Sequence, residues 1–459
     1  MIGIALLSFW TLPFALSSPS ANAGLRDQIY ETTLPNGLKI ILLENHKAPV
    51  ATFQVWYRVG SRNESWGKTG LSHMLEHMMF KGTRGISGQT FTRIIEEAGG
   101  NDNAFTSKDY TAYFESMSAE QIHVAIELEA DRMHNLLLRG QDFETERMVV
   151  MEERRLRTED DPQAYLDEQL AATAFQIHPY RWPIIGWMQD LKALSLEDLN
   201  TYYRTYYSPA NALVIAAGDF KKAEILTKIE KAFGSIPRGP SPNQTKPLED
   251  PQLGERRIQV NREVQLPFIL MGYHVPNLKT PDSYVLEVIS AILAQGRSSR
   301  LYERLVREKK LVQSASADHD LLSRDPSLFL VSAEPLPGKD VAEVEKALNH
   351  EIQQLSEKPV PAEELEKAKN QLEAAFVFSQ DSLVRQAMVL AQFEIVWDWR
   401  KIDDYVPQVR TVTPDDITRV AKQHLVPENR TVGILVPVPP RDDGKSVPTG
   451  ASVGKEAVR

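Results

Sequence analysis

The chain has 459 residues, 42% hydrophobic and 25% charged, with a formal net charge of −10. That length and composition suit a globular protein with real cores in more than one domain, and the acidic balance argues against a nucleic-acid binder, which normally presents a basic face. There are no cysteines, which excludes disulfides, thiolate nucleophiles and cysteine-ligated metals, so any metal must be held by His, Asp or Glu.

Residues 2–16, IGIALLSFWTLPFAL, form a short apolar run, and the following SPSANA ends in an Ala21-x-Ala23 pattern. This predicts a signal peptide over 1–23 and an exported protein, periplasmic or extracellular. The n-region lacks Lys and Arg. The run is shorter than the ~20 apolar residues that span a bilayer and is broken by Pro13, so no stable membrane span is expected, here or elsewhere.

From Tyr30 two β-rich runs flank Pro35-Asn36-Gly37, which predicts a hairpin. A helix then carries GLSHMLEHMMF (70–80), with Thr69 or Ser72 as its cap and Gly82 as its end. Next come a short helix closed by Gly99-Gly100 and a β segment. Helical apolar spacing follows over 119–138, and a further helix over 142–159 is stopped before Pro162. NALVIAAGDF (211–220) reads as a buried strand.

Residues 235–253 are rich in Pro and polar groups and read as a linker. After it the pattern restarts. A helix with an acidic first turn, then Pro-x-Asn, then a strand, begins at Ser195 and again at Thr413; the Pro-x-Asn falls at 209–211 and 427–429, so both ends shift by 218 residues. The repeat predicts an α+β fold of two homologous α/β-layered domains, 24–234 and 254–437. The second has no counterpart of the His-Glu-His cluster; LEVISAILAQGRSSRLYERL stands in its place. Residues 438–459 lack hydrophobic periodicity and read as a disordered tail.

The chemistry lies in the stretch at 70–80. On a helix His73, Glu76 and His77 project from one face. Two imidazoles at i and i+4 can bind one zinc ion, and a glutamate between them can reach a water on the metal without ligating it, the position a general base needs. Zinc would bring that water's pKa toward ~7. The bland alternative is an exposed histidine pair on an amphipathic helix. It fits poorly, because Leu71, Met74, Leu75, Met78, Met79 and Phe80 surround the pair and buried imidazoles need partners. A catalytic zinc usually takes three protein ligands, so the third must be a downstream carboxylate. In ETERMVVMEERRLRTEDD, Glu146 and Glu153 are seven residues apart and share a helical face, while Glu152 points ~100° away from Glu153. The run also reads as a plain solvated charged helix, and periodicity alone does not choose the ligand.

His73-Met-Leu-Glu76-His77, followed by Glu153, resembles the inverted-motif zinc peptidases: the pitrilysin, insulin-degrading enzyme and mitochondrial processing peptidase family. GGNDNAFTSKDYTAYF (99–114), VVMEERRLRTEDDP (149–162), HPYRWPIIG (178–186), SPANALVIAAGDF (208–220) and GRSSRLYERLVREKKL (296–311) are also similar to family segments. The resemblance covers nearly all of 28–437, and the size is that of the short bacterial two-domain type. It implies that the two domains form half of a clamshell chamber, with 24–234 as the catalytic domain and 254–437 as its non-catalytic homologue.

The resemblance further implies a zinc-dependent metalloendopeptidase acting on peptides or unfolded segments, with one zinc per chain held by His73, His77 and Glu153. Glu76 would be the catalytic base and Glu146 an accessory carboxylate. It implies too that Asn103 and Ala104 lie on an edge strand to which a substrate peptide adds as a further strand; taken alone, NDNAFTS reads as a turn into a strand. One departure stands out. The family's Arg and Tyr, which hold substrate and oxyanion from the other half, match Val306 and Gln313 here. This points either to a match displaced by several residues or to a dimer in which a second, metal-free subunit of the same family supplies the pair, with a homodimer as a further alternative. The rival reading is a non-catalytic scaffold or assembly subunit of the same fold.

Overall fold

The computed structural model describes residues 25–242 and 247–439. The expected signal peptide at 1–23 and all of the expected 438–459 tail except its first two residues lie outside the described residues; the Val438 N–H donates to Arg262 O at 2.9 Å, continuing the pairing of the last strand rather than starting a loose tail.

The first half runs β1 (Ile29–Thr33), β2 (Lys39–Glu44), β3 (Val50–Tyr57), α1 (Leu71–Met79), α2 (Gly88–Glu97), β4 (Asn101–Thr106), β5 (Thr111–Ser118), α3 (Ile122–Asn135), α4 (Gly140–Arg154), α5 (Pro162–Ala174), α6 (Met188–Ala193), α7 (Leu196–Tyr206), β6 (Ala212–Gly218) and α8 (Lys222–Phe233). The second runs β7 (Arg256–Arg262), β8 (Phe268–Val275), α9 (Asp282–Ala294), β9 (Val312–Asp318), β10 (Ser327–Pro335), α10 (Val341–Glu357), α11 (Ala362–Ser379), α12 (Leu383–Val396), α13 (Tyr405–Thr411), α14 (Pro414–His424) and β11 (Arg430–Pro437). The architecture is α+β, as expected.

Each half builds one sheet. The first has the order β1-β2-β6-β3-β5-β4 and the second β7-β11-β8-β10-β9. Only β2–β6 in the first and β7–β11 in the second are parallel pairs; the others are antiparallel. Leaving out β1, the two sheets have the same strand order and the same pattern of directions, so the sequence repeat is a repeat of topology. Its local cause is visible. Ser195 and Asp198 form a capping box at the start of α7, and Thr413 and Asp416 form the same box on α14. Asn211 and Asn429 then each donate from Nδ2 to the end of the preceding helix, at Tyr206 O (2.9 Å) and His424 O (2.8 Å). The hairpin about Pro35-Asn36-Gly37 forms as β1–β2, with Gly37 at a φ of 90°.

Helix α1 is capped differently from the sequence expectation. Neither Thr69 nor Ser72 caps it. The buried Glu64 carboxylate accepts from the backbone N–H of Gly70 (2.7 Å) and of Ser72 (2.8 Å), while the Thr69 hydroxyl donates to Asp190 (2.7 Å). The carboxyl of Glu64, from the loop before α1, and that of Asp190, from α6, thus satisfy polar groups at the helix N-terminus. The expected helix at 142–159 ends as an α-helix at Arg154, continues as a π-helical turn over Arg155–Glu159, and is followed by α5, whose cap is Asp161.

Although α5 belongs to the first half by sequence, it packs on the second sheet. Leu166 and Leu170 form one apolar cluster with Leu270 and Leu435. Two glycines make room for it. A Cβ on Gly433 would sit 3.1 Å from Leu166 Cδ1, and one on Gly272 would sit 3.0 Å from Leu170 Cδ2. The segment 235–253 has no helix or strand among its described residues, but it is not loose throughout: Glu249 accepts from the backbone N–H of Gln176, Ile177 and His178 at 2.7–2.8 Å.

Two stability predictions follow from these contacts. Gly433→Val overpacks the α5 joint and should lower unfolding free energy by about 1–3 kcal/mol. Glu64→Ala leaves two N–H groups at the start of α1 without their carboxylate and should cost about 2 kcal/mol. Denaturant midpoints read both; an unchanged midpoint for either variant contradicts the corresponding contact.

Candidate metal centre

The site is assembled from two helices and one sheet edge. Helix α1 supplies His73, Glu76 and His77, with Met74, Leu75 and Met78 fully buried on its other sides. Helix α4 lies against α1 and supplies Glu146 and Glu153. Strand β4 runs along the edge of the first sheet and carries Asn103 and Ala104, paired on one side only, with Phe114 and Tyr113 of β5.

Three donors converge. His77 Nε2 lies 3.3 Å and His73 Nε2 3.7 Å from Glu153 Oε2. One ligand atom from each of these residues falls within 4.8 Å of the other two, and among the described residues no other such group of His, Asp and Glu occurs. The choice that helical periodicity left open is made by direction: Glu152 is exposed and pairs with Arg155 at 2.6 Å, facing away from the histidines.

Outer contacts fix the ring planes. Glu146 Oε1 lies 2.9 Å from His77 Nδ1, which leaves Nε2 for the shared centre, and Lys81 bonds the second oxygen of Glu146. Burial raises the Glu146 pKa, but the bonds from His77 and Lys81 outweigh it and hold the group below the ordinary value. Burial also opposes a charged His77, yet the Glu146 hydrogen bond and the nearby carboxylates prevail and raise its pKa. His73 is brought down to about 3 by burial, with His77 and Arg157 adding to it, so its imidazole is neutral at pH 7. Its buried Nδ1 has no hydrogen-bond partner among the described residues. Glu76 does not join the three donors. Thr106 at the end of β4 donates to its Oε2 at 2.5 Å, and burial raises its pKa above the ordinary carboxyl value.

Two neutral-capable imidazoles and one carboxylate, with no sulfur, suit a borderline divalent ion such as zinc. The donors open onto a cleft of about 810 Å³ whose walls include Asn103, Ala104, Arg157 and Trp182. A fourth coordination position would face that cleft.

His73, Glu76, His77, Asn103, Ala104 and Glu153 meet in this cleft, with Glu146 directly behind it. Val306 and Gln313 do not: Val306 packs at the second core from a π-helical turn and Gln313 is exposed on β9. Sequence reasoning missed Thr106, Lys81 and Glu64. Thr106 is 30 residues from Glu76, and no spacing rule links a strand end to a helix face.

Comparisons with known proteins give the family of the chain. Residues 39–186 match the family model described as Insulinase (Peptidase family M16), and residues 193–372 match the one described as Peptidase M16 inactive domain. Zinc protease PqqE of Helicobacter pylori is 34% identical over 413 residues, 88% of this chain and 92% of that protein. The probable mitochondrial-processing peptidase subunit beta of Arabidopsis thaliana is 26% identical over 420 residues, 89% of this chain and 78% of that one. The crystal structure of a protease from Helicobacter pylori superposes with a TM-score of 0.85 at 33% identity, covering 89% of this chain and 99% of that one. On the strength of these matches over nearly its whole described length, the chain belongs to the M16 peptidase family and has its two-domain fold.

Proposed function

We propose that the chain is a zinc-dependent metalloendopeptidase that hydrolyses peptides or unfolded segments, exported on the strength of its Ala21-x-Ala23 pattern. The observation that carries the reading is the convergence of His73, His77 and Glu153 on one point beside Glu76, in a chain whose relatives include a zinc protease. Residues 24–234 carry the site, and 254–437 form the homologous half without a metal centre.

In this reading His73, His77 and Glu153 hold the ion, and Glu146 fixes the His77 ring. Zinc, when bound, supplies Lewis acidity to the scissile carbonyl and acidity to the attacking water. Glu76 accepts a proton from that water and delivers one to the departing amine; a raised carboxyl pKa suits a group that must both take and return a proton. Thr106 bonds Oε2 of Glu76, and the Glu76 side chain lines the cleft. The substrate lies as an extra strand on β4. Main-chain hydrogen bonds then bind it whatever its side chains, and a folded domain is excluded because it presents no extended segment. Asn103 Oδ1 accepts from the Ala104 N–H at 2.8 Å, so the incoming peptide displaces a side chain rather than water at that position.

At the two positions matched to the family's Arg and Tyr, Val306 and Gln313 offer an oxyanion neither a cation nor a phenol, a contribution of about 3 kcal/mol in other hydrolases. We infer that a second, metal-free subunit of the family supplies them.

Two experiments test the reading. Glu76→Gln should retain about one zinc per chain by elemental analysis and lose at least ~100-fold in kcat on a quenched peptide; wild-type turnover in the variant, or a native chain that takes up no zinc, rejects it. The isolated chain should cleave slowly and gain rate when co-purified with a related metal-free subunit. Full activity of the chain alone removes the need for that partner.

A further inference from the structure

A second cavity, of about 620 Å³, lies between the halves. Its first-half wall is the turn Ser107–Tyr110 together with one side of α5. Its second-half wall comes from the approach to β10 and from α11 and α12. It is continuous with the metal cleft: Lys108, Asp167, Ala171 and Ile184 line both. Strand β4 ends at Thr106, and the next two residues already belong to the cavity wall. A peptide laid on β4 therefore runs directly toward this opening.

The wall chemistry is apolar. Phe175, Leu328, Phe376, Val389 and Phe393 form much of it, and the Phe376 ring stacks on Tyr405 at 4.8 Å with planes 25° apart. Several of the polar groups between them already have partners, while the carboxyls of Asp167 and Asp320, both with a pKa pushed up by burial, line the wall as well. Gln392 Nε2 donates to the Tyr110 hydroxyl at 2.9 Å, His319 Nδ1 lies 2.9 Å from Glu287, and Lys108 Nζ donates to Tyr180 O at 3.0 Å. A ligand group entering here is offered apolar and aromatic surface and few polar groups in want of a partner. Ligand pockets of about 300–1,000 Å³ with such linings are usual binding sites.

We propose that this cavity is a distal subsite that takes a bulky apolar side chain, aromatic or leucine-like, from the same peptide that lies on β4; the proposal rests on the peptidase reading for the identity of the ligand. Ala104 and Thr106, the last residue of β4, are two residues or roughly 7 Å apart, and because the chain turns away at Ser107–Tyr110 a bound peptide must continue about two residues more to enter the cavity. The side chain received is therefore about four residues from the one lying beside Ala104. Specificity is then set away from the reacting bond, by a side chain buried between the two halves, while the edge strand itself stays tolerant.

The test uses the full chain carrying Glu76→Gln, so that binding is read without turnover. Three labelled peptides share one central segment. One is short. Two are extended by several residues at both ends and carry, about four residues from the centre on each side, either Phe or Ser. Fluorescence anisotropy should give the Phe peptide an affinity about tenfold above the Ser peptide, the usual discrimination by an apolar pocket. Adding Val389→Trp, which fills the cavity, or Phe376→Ser, which removes its aromatic wall, should bring the two within twofold and leave the short peptide unchanged. Using both variants guards against one that misfolds, and melting temperature checks each. Equal affinities for Phe and Ser peptides, or discrimination that survives in a folded variant, overturns the subsite. If the Phe preference is found but the chain without Glu76→Gln cleaves none of the peptides with zinc and partner present, the peptidase reading fails and the binding site stands.

Discussion

The first half of this protein depends on two helices meeting side by side with their polar faces turned toward each other. Helix α1 brings two imidazoles and α4 a carboxylate to one point, and apolar side chains bury the other sides of α1. Such an arrangement is unfavourable unless the helices are held from outside, because buried donors and acceptors need fixed partners. The partners are there. Glu64 and Asp190 grip the start of α1, and Glu146 ties His77 and Lys81 to α4 near its other end. Arg154, the last residue of α4, is held by Glu168 at 2.8 and 3.0 Å and by Gly186 O at 2.8 Å.

The second half contributes walls. Helix α5 crosses to the second sheet and seats two leucines over two glycines. A buried polar network runs beside this joint: Tyr180 donates to Asp109 at 2.7–2.8 Å, His178 Nε2 lies 3.1 Å from Asp325, and Arg62 bonds Asp325 as well. Asp109 belongs to the turn that follows the edge strand, so the contact between halves and the end of β4 are mechanically one unit. The cleft and the cavity beyond it owe their shape to that contact.

The repeat also records how the halves diverged. With the same 218-residue offset, the positions of His73, Glu76 and His77 fall on Ala291, Ala294 and Gln295, and that of Glu153 on Gln371. Under that offset α1 maps onto 289–297, the last turns of α9 and the residues just after it, and α4 onto 358–372, mostly in α11; Gln371 lies beside Gly296. Every ionisable donor has become neutral there. The Glu146 position remains a glutamate, Glu364, and is bonded by Arg300 at 2.8 Å through both oxygens. A carboxylate with a cationic partner can stay buried after its neighbours are lost; unpaired imidazoles and a bare carboxylate are costly to keep.

Local rules made much of this legible in the sequence. The spacing of His73, Glu76 and His77 fixes a shared helical face, because 3.6 residues per turn leaves no other arrangement. The acidic first turns and the Pro-x-Asn turns that follow them are short-range patterns, and they exposed the repeat. Three things were decided only in the folded chain. Glu153 rather than Glu152 turns to the histidines because α4 docks on α1 at one rotation. Glu64, rather than Thr69 or Ser72, caps α1 because a loop folds back over the helix start. Thr106 holds Glu76 because a sheet edge passes that helix. Each is a contact between segments whose separation is set by packing, and packing between elements leaves no period in the sequence to read.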